Sequence, residues 1–207
     1  MNDFAQECMV AIGSNDPVQL AERIGRDSIV AESGHVILPG HKLWALGRSV
    51  VSGGATVTAL PSDDPNDAVY GILYTGLTLD ELDILDGYEG VFEKKSDPNR
   101  TAFDENGKPK GRYMRVKKKF VTVDGHTFDA WVYVMSGKLT VDRETHPVTP
   151  AYHERLLATC AAGAFPDWYT DMIRELPVFK PVKLDGAQFP YEQYPLVDPS
   201  IIVSAMS

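Results

Sequence analysis

Six short stretches, Val36 to Leu38, Leu43 to Leu46, Ala55 to Leu60, Val69 to Tyr74, Met114 to Val123 and Ala130 to Met135, carry the period-two or continuously apolar pattern of strands. A period of two puts alternate side chains on opposite faces of a sheet, so each run demands a buried partner face. Helical patterning is confined to about residues 17–25, 78–87, 150–161 and 166–175. This mixture predicts an α+β domain, a small closed or nearly closed, mostly antiparallel β-barrel flanked by helices. With 207 residues and 43% apolar content, the chain is expected to fill one core and form a single domain over 1–207. Two segments stand apart. Residues 92–112, FEKKSDPNRTAFDENGKPKGR, form a long polar loop insertion. From Pro177 the tail, with Pro181, Pro190, Pro195 and Pro199, excludes regular helix and is expected to wrap the barrel in extended form, docking through Phe189, Tyr191, Tyr194 and Leu196.

Composition excludes several classes. The net charge of −9 opposes a nucleic-acid partner. The seven basic residues from Lys108 to Lys119 alternate with Tyr113, Met114 and Val116, as on a solvated strand face. His35, His41, His126, His146 and His153 show no metal-ligand spacing, so neither metal nor cofactor is expected. No run approaches the ~20 apolar residues of a membrane span. The opening MNDFAQECMV lacks the form of a secretion signal. Cys8 and Cys160 are too few for a disulfide framework and suggest a reducing, cytoplasmic setting. The expected partner is a small molecule, bound by a monomer or homodimer.

The chemistry-bearing pattern is ELDILDGYEGV, residues 81–91. It places Glu89 on a Gly-flanked turn after a short amphipathic segment, where a lone carboxylate can shuttle protons. Leu85, Tyr88, Val91 and Phe92 would give it an apolar surround, which favours a proton-holding carboxyl. Earlier, Met9, Val10, Ala11 and Ile12 lead into Gly13, Ser14, Asn15, Asp16 and Pro17, the pattern of a strand, a turn and a helix start. Backbone N–H groups of such a turn can hold a carboxylate or a developing oxyanion. Farther on, residues 147–176 read as two helices separated by Gly163 and Pro166, with Tyr152 in the first turn of the first.

Taken in order, these segments resemble the γ-glutamylcyclotransferases, whose barrel fold also occurs in the AIG2-like proteins. The matching stretches are IGSN at 12–15 with Arg23, GGAT at 53–56, VYGILY at 69–74, LDGYEG at 85–90, YMRVKKKFV from Tyr113, WVYVM at 131–135, and PVTPAYHERLLATCAAGAFPDWY. The resemblance implies cleavage of a γ-glutamyl amide by the substrate's own α-amine, releasing 5-oxoproline and a free amine without water, metal or nucleotide. It implies that Glu89 is the catalytic carboxylate, that Met9, Val10, Ala11, Ile12, Gly13, Ser14 and Asn15 line the glutamyl pocket, and that Tyr113 and Tyr152 complete it.

The chain departs from the family pattern in two places: Ile12 stands where the family has tyrosine, and the 92–112 insertion follows the glutamate. Both suggest a larger γ-glutamyl compound, glutathione or an adduct of it, as substrate. Ile12 also keeps open an alternative, a catalytically inactive AIG2-like module that holds a small ligand.

Overall fold

The structure, a computed structural model, describes residues 6–32, 34–46, 54–89, 91, 113–135 and 145–179. Among them the chain runs β1 (Glu7–Ala11), α1 (Pro17–Ile24), β2 (Val30–Ala31), β3 (Val36–Pro39), β4 (His41–Leu46), β5 (Thr56–Pro61) and β6 (Ala68–Leu77). It continues through α2 (Leu79–Glu89), β7 (Tyr113–Thr122), β8 (Thr127–Met135), α3 (Pro150–Ala162) and α4 (Asp167–Arg174). The 92–112 insertion, Gly53, Gly90, Phe92 and the tail beyond Phe179 lie outside the described residues.

Five strands close into a ring. From β1 the order is β8, β7, β3 and β6, and β6 pairs back onto β1. Every pairing in the ring is antiparallel except β1 with β8, so the barrel is mixed. With its flanking helices this is the expected α+β architecture. Each of the five strands has a partner on both sides, with the narrowest seams at β1–β8 (Met9 with Trp131) and β3–β7 (Val36 with Thr122, Ile37 with Val121). Not every expected strand joins it: among the described residues, β4 and β5 pair with each other in a separate two-stranded sheet. That hairpin is held to β8 by the Met135 N–H, which donates to Thr58 Oγ1 at 2.8 Å. The two-residue β2, too short for a periodicity to show, adds to β6. Val123 falls in the β7–β8 turn instead of the strand.

The core is continuous through the barrel and under the helices, with Leu38, Tyr74, Leu82, Phe120 and Ile173 almost fully buried. Burying each such side chain contributes about 1.5–3 kcal/mol before chain entropy is counted. Ring closure needs Gly71 in β6: a Cβ there would lie 2.4 Å from Val10 Cγ1 and 2.8 Å from the Ala11 carbonyl.

The helices start and stop where local chemistry dictates. Asp16 caps α1 by accepting the Gln19 N–H at 2.9 Å, Pro17 follows it, and Gly25 at φ 72° ends the helix. Thr78 and Glu81 form a reciprocal capping box at α2: the Thr78 N–H donates to Glu81 Oε2 (2.8 Å) and the Glu81 N–H to Thr78 Oγ1 (3.2 Å). Thr149 caps α3 through the Tyr152 N–H. Pro177–Phe179 begin the tail in extended form: Val178 bridges Val148 in parallel, and the Phe179 N–H donates to the Val148 carbonyl at 2.8 Å.

Candidate active site

Helix α2 runs two residues past the expected end, so Glu89 is its last residue and not part of a free turn. The helix buries Leu82, Leu85 and Asp86, and Glu89 stands one turn beyond Leu85 and Asp86 on that side. The carboxylate meets polar partners. Glu89 Oε1 accepts from Asn15 Nδ2 at 3.2 Å and from Arg23 Nη1 at 3.3 Å. Arg23 Nη1 also donates to Asn15 Oδ1 at 3.3 Å, which closes a triangle of side chains from the turn after β1, from α1 and from α2. The apolar surround expected from neighbouring residues is therefore only partial: Leu85 and Val91 are buried, but Tyr88 is exposed and lies under the Arg23 guanidinium, 5.0 Å from ring centroid to Cζ.

The turn itself is fixed from below. The Tyr74 hydroxyl, buried in β6, donates to the Asn15 carbonyl at 3.0 Å. Burial, and then the charge of Asp16, push this phenol well above its usual range, so it stays a donor. Beside the turn, the Val57 N–H donates to the Tyr152 oxygen at 3.1 Å, and the Ser14 side chain neighbours the same hydroxyl. Burial, then the nearby Tyr113 and Glu89, keep Tyr152 protonated far above its normal value. With the Val57 N–H donating to its oxygen, the Tyr152 hydroxyl keeps its own proton as a donor. Tyr113 bonds Thr56 across 2.7 Å. Gly13 adjoins this group: a Cβ on it would stand 3.3 Å from Val57 Cγ2 and 3.4 Å from the Tyr152 oxygen.

Behind the carboxylate lies a buried ionic cluster. Arg115 on β7 reaches Asp83 Oδ1 (3.1 Å) and Asp86 Oδ1 (3.4 Å), both on α2. Tyr133 on β8 donates to Asp86 Oδ1 at 2.8 Å and also reaches the Leu82 carbonyl. The aspartate of LDGYEG and the arginine of YMR thus pin the helix that carries Glu89 to the barrel wall.

Sequence comparison matches the family described as "Gamma-glutamyl cyclotransferase, AIG2-like" over residues 16–154 of the 207. The chain belongs to this family. Among solved structures, this γ-glutamyl cyclotransferase family member is similar to one described as "Gamma-glutamyl cyclotransferase", at 22% identity and TM-score 0.62, with 91% of this chain and 96% of that chain covered. It is also similar to the human uncharacterized protein loc79017, at 20% identity and TM-score 0.62 over 91% of this chain and 96% of the other. YkqA from Bacillus subtilis matches at 15% identity and TM-score 0.57, covering 84% of this chain but 56% of its own. At these identities the likeness speaks for the fold. No curated protein matches the chain by sequence.

The family's motif residues fall into two groups here. Gly13, Ser14, Asn15, Glu89, Tyr113 and Tyr152 gather on one side of the barrel around the triangle and the Tyr152 hydroxyl. Met9, Val10 and Ala11 are buried core residues of β1, and Ile12 is half-buried against that core. Arg23, Thr56 and the Val57 N–H join the site without having been singled out as site residues. Arg23 lies three residues after the inward-facing Leu20, a spacing that turns it toward α2. For Val57 no signal exists, because it contributes a backbone group.

Proposed function

We propose that the chain is a γ-glutamylcyclotransferase that closes the substrate's α-amine onto its γ-carbonyl and releases 5-oxoproline. The observation that carries this is one carboxylate, Glu89, set beside a glycine turn and a buried tyrosine, Tyr152, that burial keeps protonated. The attacking nitrogen enters as an ammonium and must lose its proton before it can attack; Glu89 takes it. The new C–N bond forms at the γ-carbon, a tetrahedral oxyanion develops, and the bond to the leaving nitrogen breaks as Glu89 returns the proton there. Two protons leave the attacking nitrogen in all and two reach the departing one, which ends as an ammonium, so no water is consumed. Tyr152 supplies a donor for the oxyanion, and N–H groups of the Gly13–Asn15 turn hold the oxyanion or the substrate carboxylate. Folding the substrate into a ring-closing shape removes rotational freedom ahead of the reaction.

For substrate, Ile12 favours the larger γ-glutamyl compounds. It lacks the hydroxyl of the family tyrosine, so a small γ-glutamyl amino acid has one contact fewer, and contacts to a bulkier leaving group offset the loss. Glutathione or an adduct of it is the expected class. The test is 5-oxoproline release from glutathione, γ-glutamyl-alanine and γ-glutamyl-lysine side by side. Preference for γ-glutamyl-alanine refutes the substrate class. The same Ile12 supports a second reading, a ligand-binding module without turnover; binding of 5-oxoproline with no release from any of the three substrates would establish it.

A further inference from the structure

Arg23 has no part in the chemistry above, yet it is built into the carboxylate. Its Nη1 bonds both Glu89 Oε1 and Asn15 Oδ1, and through that second bond it fixes the Asn15 amide with Nδ2 facing Glu89. Both bonds to the carboxylate fall on Oε1; among the described residues none falls on Oε2. We propose that Arg23 is a positioning residue of the reaction, which with Asn15 immobilises one oxygen of Glu89 so that the other faces the substrate nitrogens. This rests on the cyclotransferase reading.

Two observations separate this role from a helix-to-helix tie. Docking of α1 on α2 already has its own arginine: Arg26, three residues on, pairs with Glu81 at the opposite end of α2 and donates to the Gly76 carbonyl at 3.0 Å. The Arg23 guanidinium, moreover, lies over the Tyr88 ring, which restricts its plane. A guanidinium steadied by a ring and shared between two acceptors sets the rotamer of a carboxylate better than a surface ion pair does. Since Glu89 must reach both the attacking and the departing nitrogen, a small error in its rotamer lowers the rate without altering how substrate is held.

The experiment is steady-state kinetics on glutathione and γ-glutamyl-alanine for wild type, Arg23→Met, Arg23→Lys and Tyr88→Leu. Arg23→Met is expected to lower kcat about tenfold to a hundredfold while KM stays within about threefold. Lysine, which can donate to both oxygens but has no planar group to lie on Tyr88, is expected to restore only part of the loss. Tyr88→Leu, at an exposed position and therefore benign to folding, is expected to show a smaller drop, also in kcat, and keeps the test open should Arg23→Met not fold. An unchanged kcat in Arg23→Met, or in Tyr88→Leu if Arg23→Met is unfolded, overturns the proposal. So does a raised KM at constant kcat, which would make Arg23 a substrate ligand. If instead wild type releases no 5-oxoproline from either compound, it is the cyclotransferase reading that fails, and the role proposed for Arg23 falls with it.

Discussion

Replacing Glu89 by glutamine separates chemistry from architecture. The amide oxygen can still accept from Asn15 Nδ2 and Arg23 Nη1, the two donors that now meet Oε1 at 3.2 and 3.3 Å. What disappears is the ability to take a proton and the charge that faces Arg23. The pair is partly solvated, with 16% of the Glu89 side chain and 21% of the Arg23 side chain exposed, so its loss costs about 0–1 kcal/mol of stability. For a domain of about 150–250 residues that is a fall in Tm of at most about 2–4 °C. Losing a general acid/base, by contrast, lowers the rate about 10²- to 10⁴-fold, which corresponds to about 2.7–5.4 kcal/mol of barrier. The assay is 5-oxoproline release from glutathione, run beside a thermal melt of both proteins. Near wild-type release from Glu89→Gln removes the residue from the mechanism. A melt lowered by much more than the stated range shows that the carboxylate is structural and voids the assignment of the rate loss to chemistry.

Other outcomes follow from the same geometry. Arg115→Met removes the buried guanidinium that meets Asp83 Oδ1 and Asp86 Oδ1, and urea denaturation should show a loss of about 3–5 kcal/mol. Tyr152→Phe deprives the Val57 N–H of its acceptor: the cost to stability is about 1–3 kcal/mol, and loss of an oxyanion donor lowers kcat by about 10²-fold or more, so an unchanged kcat would assign the hydroxyl to packing alone. Gly13→Ala places a methyl 3.4 Å from the Tyr152 oxygen, and a raised KM in the 5-oxoproline assay is the expected sign; unchanged kinetics would make the turn a helix start and nothing more.

Elements whose causes are local were legible in the sequence. The strand runs, the Asp16–Pro17 start of α1 and the Thr149–Pro150 start of α3 all follow from neighbours a few residues apart. Closure of the ring was legible only as a tendency, since the parallel pairing of Met9 with Trp131 leaves no mark on either strand. The β4–β5 hairpin has the same alternation as barrel strands, and alternation carries no partner's name. In α2 five acidic residues compete for attention: Asp80, Glu81, Asp83, Asp86 and Glu89. The spacing of Leu82, Leu85, Asp86 and Glu89, one face of a helix, would have set the last two apart, because a carboxylate amid an apolar stripe needs a buried cation. Arg115 is that cation for Asp86, and its own strand shows only a lysine-rich run in which Lys117 and Lys119 do face solvent.

The closed ring also has a consequence in time. Strand β1 is synthesised well before its partners β6 and β8, and Glu7 and the Trp131 ring that donates to it are 124 residues apart. Until β8 is made, β1 is an apolar segment with an unsatisfied backbone edge, the kind of surface that associates wrongly in a growing chain. Contacts of such long range also slow folding. Asn15 hangs from the end of β1 and meets Glu89 across 74 residues, so the carboxylate acquires its partners only as the barrel shuts. Catalytic competence should therefore appear late in refolding, behind the helical signal, and a chain that has gained its helices but not its seam should be inert.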